Sequence, residues 1–230
     1  VNAIQEDPAR DKESIRQIHA DLHDYRIRTM DPADLKVNID QRRELYETAD
    51  RSKFVKIGDV IDNFELHDVV CGPFMIDDIL RSSPLSVLIF FRFAGCPACN
   101  LALPFYNRNL FPGLRALGVS LIAVSPQVPE RLVEIKTKHG LEFIVSSDRN
   151  NMLAHRFGIV FTSNEASRES AKRKGFDFPG VLGTGTWELP HPTVVVIDQT
   201  KTVRFVDVTP DWLERTEAAV ILKAVKDIIG

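Results

Sequence analysis

From residue 54 onward the chain alternates short, continuously apolar runs with stretches of helical spacing. Val87-Leu88-Ile89-Phe90-Phe91 and, but for Ser120, Val119-Ser120-Leu121-Ile122-Ala123-Val124 are apolar at successive positions, as expected of strands buried on both faces of a parallel sheet. The pattern predicts strands at 86–91, 119–124 and 142–146, with helices from Pro97 to about Leu117, over 129–139 and over 150–157. Upstream, Phe64-Glu65-Leu66 and Phe74-Met75-Ile76 flank the turn Cys71-Gly72-Pro73, and Asp77 to Arg81 reads as a helical turn. Gly175, Gly180, Gly183 and Gly185 interrupt the pattern, so 158–190 is expected to be an insertion or long loop. Strands at 193–198 and 202–207 are separated by Gln199-Thr200-Lys201, short enough for a hairpin. Asp211 is expected to cap a last helix with Ala218, Ile221, Val225 and Ile228 on its apolar face.

Residues 1–52 have a different texture. They are charge-rich, and Ile15, Ile18, Leu22 and Tyr25 recur at three- and four-residue steps. Asp11 and Asp31 stand where N-caps belong, and Pro32 suits a first helical position. The expected organisation is an N-terminal helical extension over 1–52, then one domain over 53–230 with the insertion near 158–190.

A net charge of −3 in 230 residues gives no electrostatic reason to expect nucleic acid or an anionic membrane as partner. No apolar run approaches the roughly 20 residues of a membrane span. Three cysteines, two of them in one motif, make no disulfide framework. A reducing compartment, the cytoplasm, is therefore expected. The opening at Val1 without Met leaves export open.

The motif is Cys96-Pro97-Ala98-Cys99, directly after the apolar strand. A C-x-x-C between a buried strand and a helix is a dithiol arrangement. The first sulfur falls at the helix start, where free backbone N–H groups and the helix dipole favour a thiolate. Pro97 fits the first helical position, which needs no N–H. Zinc would require two more ligands; the remaining cysteine, Cys71, has no histidine pair near it, so neither metal nor cofactor is expected. A pair of inert core cysteines is the other alternative, but Gly95 and Pro97 mark a turn-to-helix junction.

A β-α-β unit carrying C-x-x-C after its first strand, followed by a hairpin and a closing helix, gives a thioredoxin-like α/β topology: a central mixed sheet flanked by helices. Such dithiol folds place a cis-proline at the start of the strand facing the motif, and Pro192 before strand 193–198 occupies that position.

With these residues in place, the chain resembles the peroxiredoxin-like branch of the alkyl hydroperoxide reductase/thiol-specific antioxidant family, from about Lys56 to Ile229. The resemblance rests on Val55-Lys56-Ile57-Gly58-Asp59, on Phe91-Arg92-Phe93-Ala94-Gly95-Cys96-Pro97-Ala98-Cys99-Asn100 and on Ala123-Val124-Ser125-Pro126-Gln127. Asp148, Arg156-Phe157-Gly158-Ile159-Val160-Phe161, Trp187-Glu188-Leu189-Pro190 and Val196-Ile197-Asp198 extend it. Members of this branch also carry an N-terminal helical arm. The chain departs from well-studied peroxiredoxins: Phe93 stands where they have Thr or Ser, three residues before the cysteine, and Ile89 where they have Pro, seven before. It departs from thioredoxin too, with Phe90 in place of the buried Asp.

The resemblance implies a thiol-dependent peroxidase acting on a small peroxide and recycled by a thioredoxin-like or other dithiol reductant. Cys96 would attack and Cys99 resolve, with Arg92 orienting the peroxide and Pro192 shaping the site. Gly95, Pro97, Thr193 and Trp187 are the candidate substrate-binding residues, and Asn100 and His191 are candidates to meet the sulfurs. A disulfide oxidoreductase that never touches peroxide, and a non-catalytic member that binds partners through its arm, are the alternatives. Cys71 is a candidate second resolving thiol, and a homodimer is an admissible assembly.

Overall fold

The computed structural model describes residues 14–230, so Asp11 as an N-cap lies outside the described residues. The N-terminal extension forms two helices, α1 (Ile15–Thr29) and α2 (Pro32–Thr48). Ser14 caps α1 by accepting from the Gln17 N–H, and Asp31 caps α2 by accepting from Ala33 and Asp34. The hairpin β1 (Glu65–Asp68) and β2 (Gly72–Met75) follows, then α3 (Ile76–Leu80) and β3 (Leu85–Phe90). After it come α4 (Pro97–Asn109), α5 (Phe111–Ala116), β4 (Ser120–Ser125), α6 (Pro129–His139), β5 (Ile144–Ser147) and α7 (Met152–Arg156). The chain closes with β6 (Val160–Thr162), α8 (Glu165–Arg173), α9 (Phe178–Leu182), β7 (Glu188–Pro190), β8 (Thr193–Asp198), β9 (Val203–Val208) and α10 (Ala218–Ile229).

Seven strands form one mixed sheet in the order β2-β1-β5-β4-β3-β8-β9, parallel between β3, β4 and β5 and antiparallel at both sides. This is a thioredoxin-like fold with an N-terminal helical extension. Its central strands are mostly apolar because each face meets its own layer, and their serines sit toward the strand ends. Val87 and Ile89 point into one core with residues of α4, α6 and α10, while Leu88 and Phe90 point into the other with Ile76, Leu80, Leu153 and Phe157. Ile15, Ile18 and Leu22 of α1 are buried in the first of these cores, with α1 packed on α4.

Local chemistry moves several boundaries from the sequence-based expectation. The single helix expected from Pro97 to Leu117 is broken at Leu110, because Pro112 has no N–H for the carbonyl one turn back and restricts Phe111 before it. The helix expected from residue 150 starts at Met152, since Asn150 and Asn151 both take left-handed backbone at φ 56° and 55°. Asp211 does not cap the last helix. That helix begins at Ala218 behind Glu217, and the Asp211 carboxylate instead accepts from Leu213 N–H and binds Arg42. Residues 158–190 hold a two-stranded ribbon, β6 with β7, and the helices α8 and α9. Among the described residues no helix is long and apolar enough to cross a membrane.

Candidate active site

Strand β3 delivers the chain into the loop Phe91–Gly95, which is tied down on the β4 side. Phe91 N–H donates to Val124 O at 2.9 Å, and the Ser125 hydroxyl donates to Arg92 O at 3.0 Å. The Gln127 side chain accepts from Ala94 N–H at 2.8 Å and donates to Val181 O at 2.9 Å. Asn100 completes the frame by donating to the carbonyls of Ala94 and Cys96. Its amide nitrogen serves backbone carbonyls, and its Oδ1 is 2.8 Å from His139 Nε2.

Cys96 is the N-cap residue of α4, with Pro97 in the first turn. Both sulfurs are free thiols. Cys96 is 1% exposed and Cys99 not at all. Burial opposes the ionisation of Cys96, yet a hydrogen bond from the Cys99 thiol, the charges of Arg92 and Arg215 and the Cys99 backbone N–H bring its pKa down to about 5. Cys99 goes the other way: burial, its hydrogen bond to Cys96 and the Cys96 charge push it well above the ordinary thiol value. The pair is therefore poised as one thiolate and one thiol.

Three residues that the sequence did not single out complete this environment. Arg215, on the loop before α10, places Nη2 3.6 Å from Cys99 Sγ. His19 of α1 is 3% exposed and holds its Nε2 3.0 Å from Ala98 O, within the motif itself. Because a carbonyl only accepts, that nitrogen carries the proton. Burial, with the Arg215 charge, pulls the His19 pKa to about 3, so the ring is neutral. Trp212 is buried and has the guanidinium groups of Arg92, Arg26 and Arg42 at 4.8, 5.3 and 5.7 Å from its ring centroid.

A cavity of about 430 Å³ opens beside the motif, and Arg92, Gly95, Pro97 and Trp187 all line it. Trp187 stacks on Phe178 at 5.7 Å, and Phe178 meets Phe93 edge-on at 4.8 Å. Pro192 and Thr193 are not among the residues that line it. Thr193 is paired with Phe90 and Val208 in the sheet, and its hydroxyl donates to His191 O. Pro192 gives its carbonyl to Thr209. The Pro192 peptide bond is trans, against the cis bond expected there, as are all peptide bonds among the described residues. The chain runs extended from β7 into β8, held by His191 N–H to Ile159 O at 2.7 Å. His191 is stacked on Phe161 at 4.9 Å and is edge-on to Phe54 at 6.0 Å. Cys71 is exposed at the β1–β2 turn, on the far side of the sheet. Four strand spacings separate β2 from β3, about 19 Å, too far for a disulfide without rearrangement.

The model of the AhpC/TSA family matches residues 57–206. The chain belongs to that family. Solved structures agree on the fold at low identity. BcpB, a peroxidoxin from Mycobacterium tuberculosis, is 21% identical with a TM-score of 0.57, over 76% of this chain and 98% of that one. A mutant of peroxiredoxin 6 from Arenicola marina is 20% identical with a TM-score of 0.59, covering 76% and 74%. A mutant of Xylella fastidiosa PrxQ is 15% identical with a TM-score of 0.58, covering 76% and 98%. No curated protein matches the chain. His19, Arg26, Trp212 and Arg215 all fall outside the stretch that matches the family.

Proposed function

We propose that this chain is a thiol-dependent peroxidase that reduces hydrogen peroxide or organic hydroperoxides through a Cys96/Cys99 dithiol cycle. The observation that supports the reading is the placement of the pair: Cys96 caps α4, Cys99 lies one turn inward, both are buried, and Arg215 stands 3.6 Å from Cys99 Sγ, surroundings that lower the pKa of Cys96 to about 5 and raise that of Cys99. The Cys96 thiolate attacks the O–O bond, forming an S–O bond and a sulfenic acid while the departing oxygen takes a proton and leaves as alcohol or water. The Cys99 sulfur then attacks Cys96, forming the disulfide and releasing water that carries the Cys99 proton. An external dithiol, thioredoxin-like, restores the pair by exchange and is itself oxidised to a disulfide.

Arg92 and Arg215 hold the thiolate and face the charge that develops on the departing oxygen. Gly95 and Pro97 present the motif to the cavity. In this reading residues 53–230 are the catalytic domain. Residues 1–52 are an extension whose helix α1 covers the motif, with His19 on the Ala98 carbonyl.

The test is oxygen transfer. One equivalent of hydrogen peroxide should convert the reduced protein to a 96–99 disulfide, and Cys99→Ser should instead accumulate a dimedone-reactive sulfenic acid at Cys96. If only protein disulfides oxidise the pair, a disulfide oxidoreductase replaces the peroxidase.

A further inference from the structure

The cavity beside the motif has two kinds of wall. One is aromatic, built from Phe93, Phe178 and Trp187. The other is cationic: Arg92 and Arg26 both line it and both stack on Trp212, which puts their guanidinium carbons within about 10 Å of each other. Neither makes an ion pair with a carboxylate among the described residues, although Arg42 on the same ring is paired bidentately with Asp211 at 2.7 Å. Lys174, on the same cavity, is likewise paired, with Asp34 at 2.9 Å.

Arg92 and Ser167, both lining residues, each keep a buried polar atom, Nε and Oγ, without a hydrogen-bond partner among the described residues. Buried polar atoms are nearly always satisfied, so two such residues around one cavity, with two guanidinium groups that no carboxylate among the described residues neutralises, point to a ligand with an acidic group. One thiolate offsets one of three positive charges, those of Arg26, Arg92 and Arg215.

Resting on the peroxidase reading, we propose that this cavity selects organic hydroperoxides with an aromatic or similarly flat apolar body and a carboxylate within about 10 Å of the O–O bond. Arg92 faces the peroxide, and Arg26 of the N-terminal helix takes the carboxylate as a charge-assisted pair. The aromatic wall holds the body between them. Arg26 is then a specificity-determining residue supplied from outside the stretch that matches the family.

The probes are 4-carboxycumene hydroperoxide and its methyl ester, which share the reacting group and differ in charge. Stopped-flow oxidation of the reduced protein should be about tenfold faster with the acid, a difference worth ~1.4 kcal/mol. The acid-to-ester ratio should fall close to one in Arg26→Gln and be retained in Arg26→Lys. The unreactive product, 4-(2-hydroxypropan-2-yl)benzoate, should bind the wild-type protein and shift its tryptophan fluorescence, whereas its methyl ester should not. Equal acid and ester rates in a protein that hydrogen peroxide oxidises readily would overturn the proposal and leave the peroxidase intact. If no peroxide reacts, the peroxidase reading falls, and failure of the benzoate to bind would overturn the cavity assignment as well.

Discussion

Cys96 and Cys99 have the same side chain and nearly the same burial, and they differ in what each sulfur meets. Cys96 receives the Cys99 thiol, a backbone N–H and two guanidinium charges, whereas Cys99 gives its proton away and faces its neighbour's negative charge. Iodoacetamide alkylation of Cys96 should therefore show an inflection near pH 5, against about 8.5 for a free cysteine. Cys99→Ala removes the donor and should move that inflection upward, as should Arg215→Ala. An inflection at the free-thiol value in the wild-type protein would contradict this account. The motif and its position after a buried strand were legible in the sequence, because C-x-x-C geometry is local. Arg215 and His19 were not, since they reach the motif from 116 and 79 residues away through tertiary packing.

At the scale of elements, the N-terminal helices and the loop before α10 hold each other in place. Glu217 accepts from the free N–H groups of Ile15 and Arg16 at 3.1 and 3.2 Å, serving the start of α1 from across the molecule. Arg42 of α2 grips Asp211, and Trp212 Nε1 donates to Gln41 Oε1 at 3.2 Å. Trp212 is the centre of this joint. Trp212→Ala should cost about 3–5 kcal/mol in urea unfolding and speed alkylation at the motif, because α1 and the arginines lose their platform. A loss under 1 kcal/mol with unchanged alkylation would contradict the joint. The sequence suggested helix through this region because Asp211 looks like a cap. Instead Trp212 and Leu213 are both buried, so the chain stays in a loop until Glu217.

Across the whole molecule, two buried histidines set a pH dependence. Burial holds the His19 pKa near 3 and the His191 pKa near 4 in the fold, against about 6.5 when unfolded. The native state keeps both rings neutral while the unfolded chain takes up protons below about pH 6.5. Their contribution to stability is therefore intact above that pH and falls as the pH drops toward 4. The slope from this pair approaches about 2.7 kcal/mol per pH unit at its steepest. Urea unfolding between pH 7 and 4.5 should show it, and the double variant His19→Gln, His191→Gln should flatten it. An unchanged slope in the variant would contradict the assignment. At this scale the sheet was the most legible part, since strands buried on both faces are apolar at most successive positions. The helices between 158 and 190 were hidden by glycines, of which Gly175, Gly183 and Gly185 serve left-handed turns between short elements.

The peroxidase reading is tested most directly by stopped-flow mixing of the reduced protein with hydrogen peroxide at neutral pH, beside Cys96→Ser and free cysteine. A thiolate with a pKa near 5, faced by Arg92 and Arg215, should give a second-order rate at least 100-fold above that of free cysteine, absent in Cys96→Ser. A rate no faster than free cysteine would contradict the account.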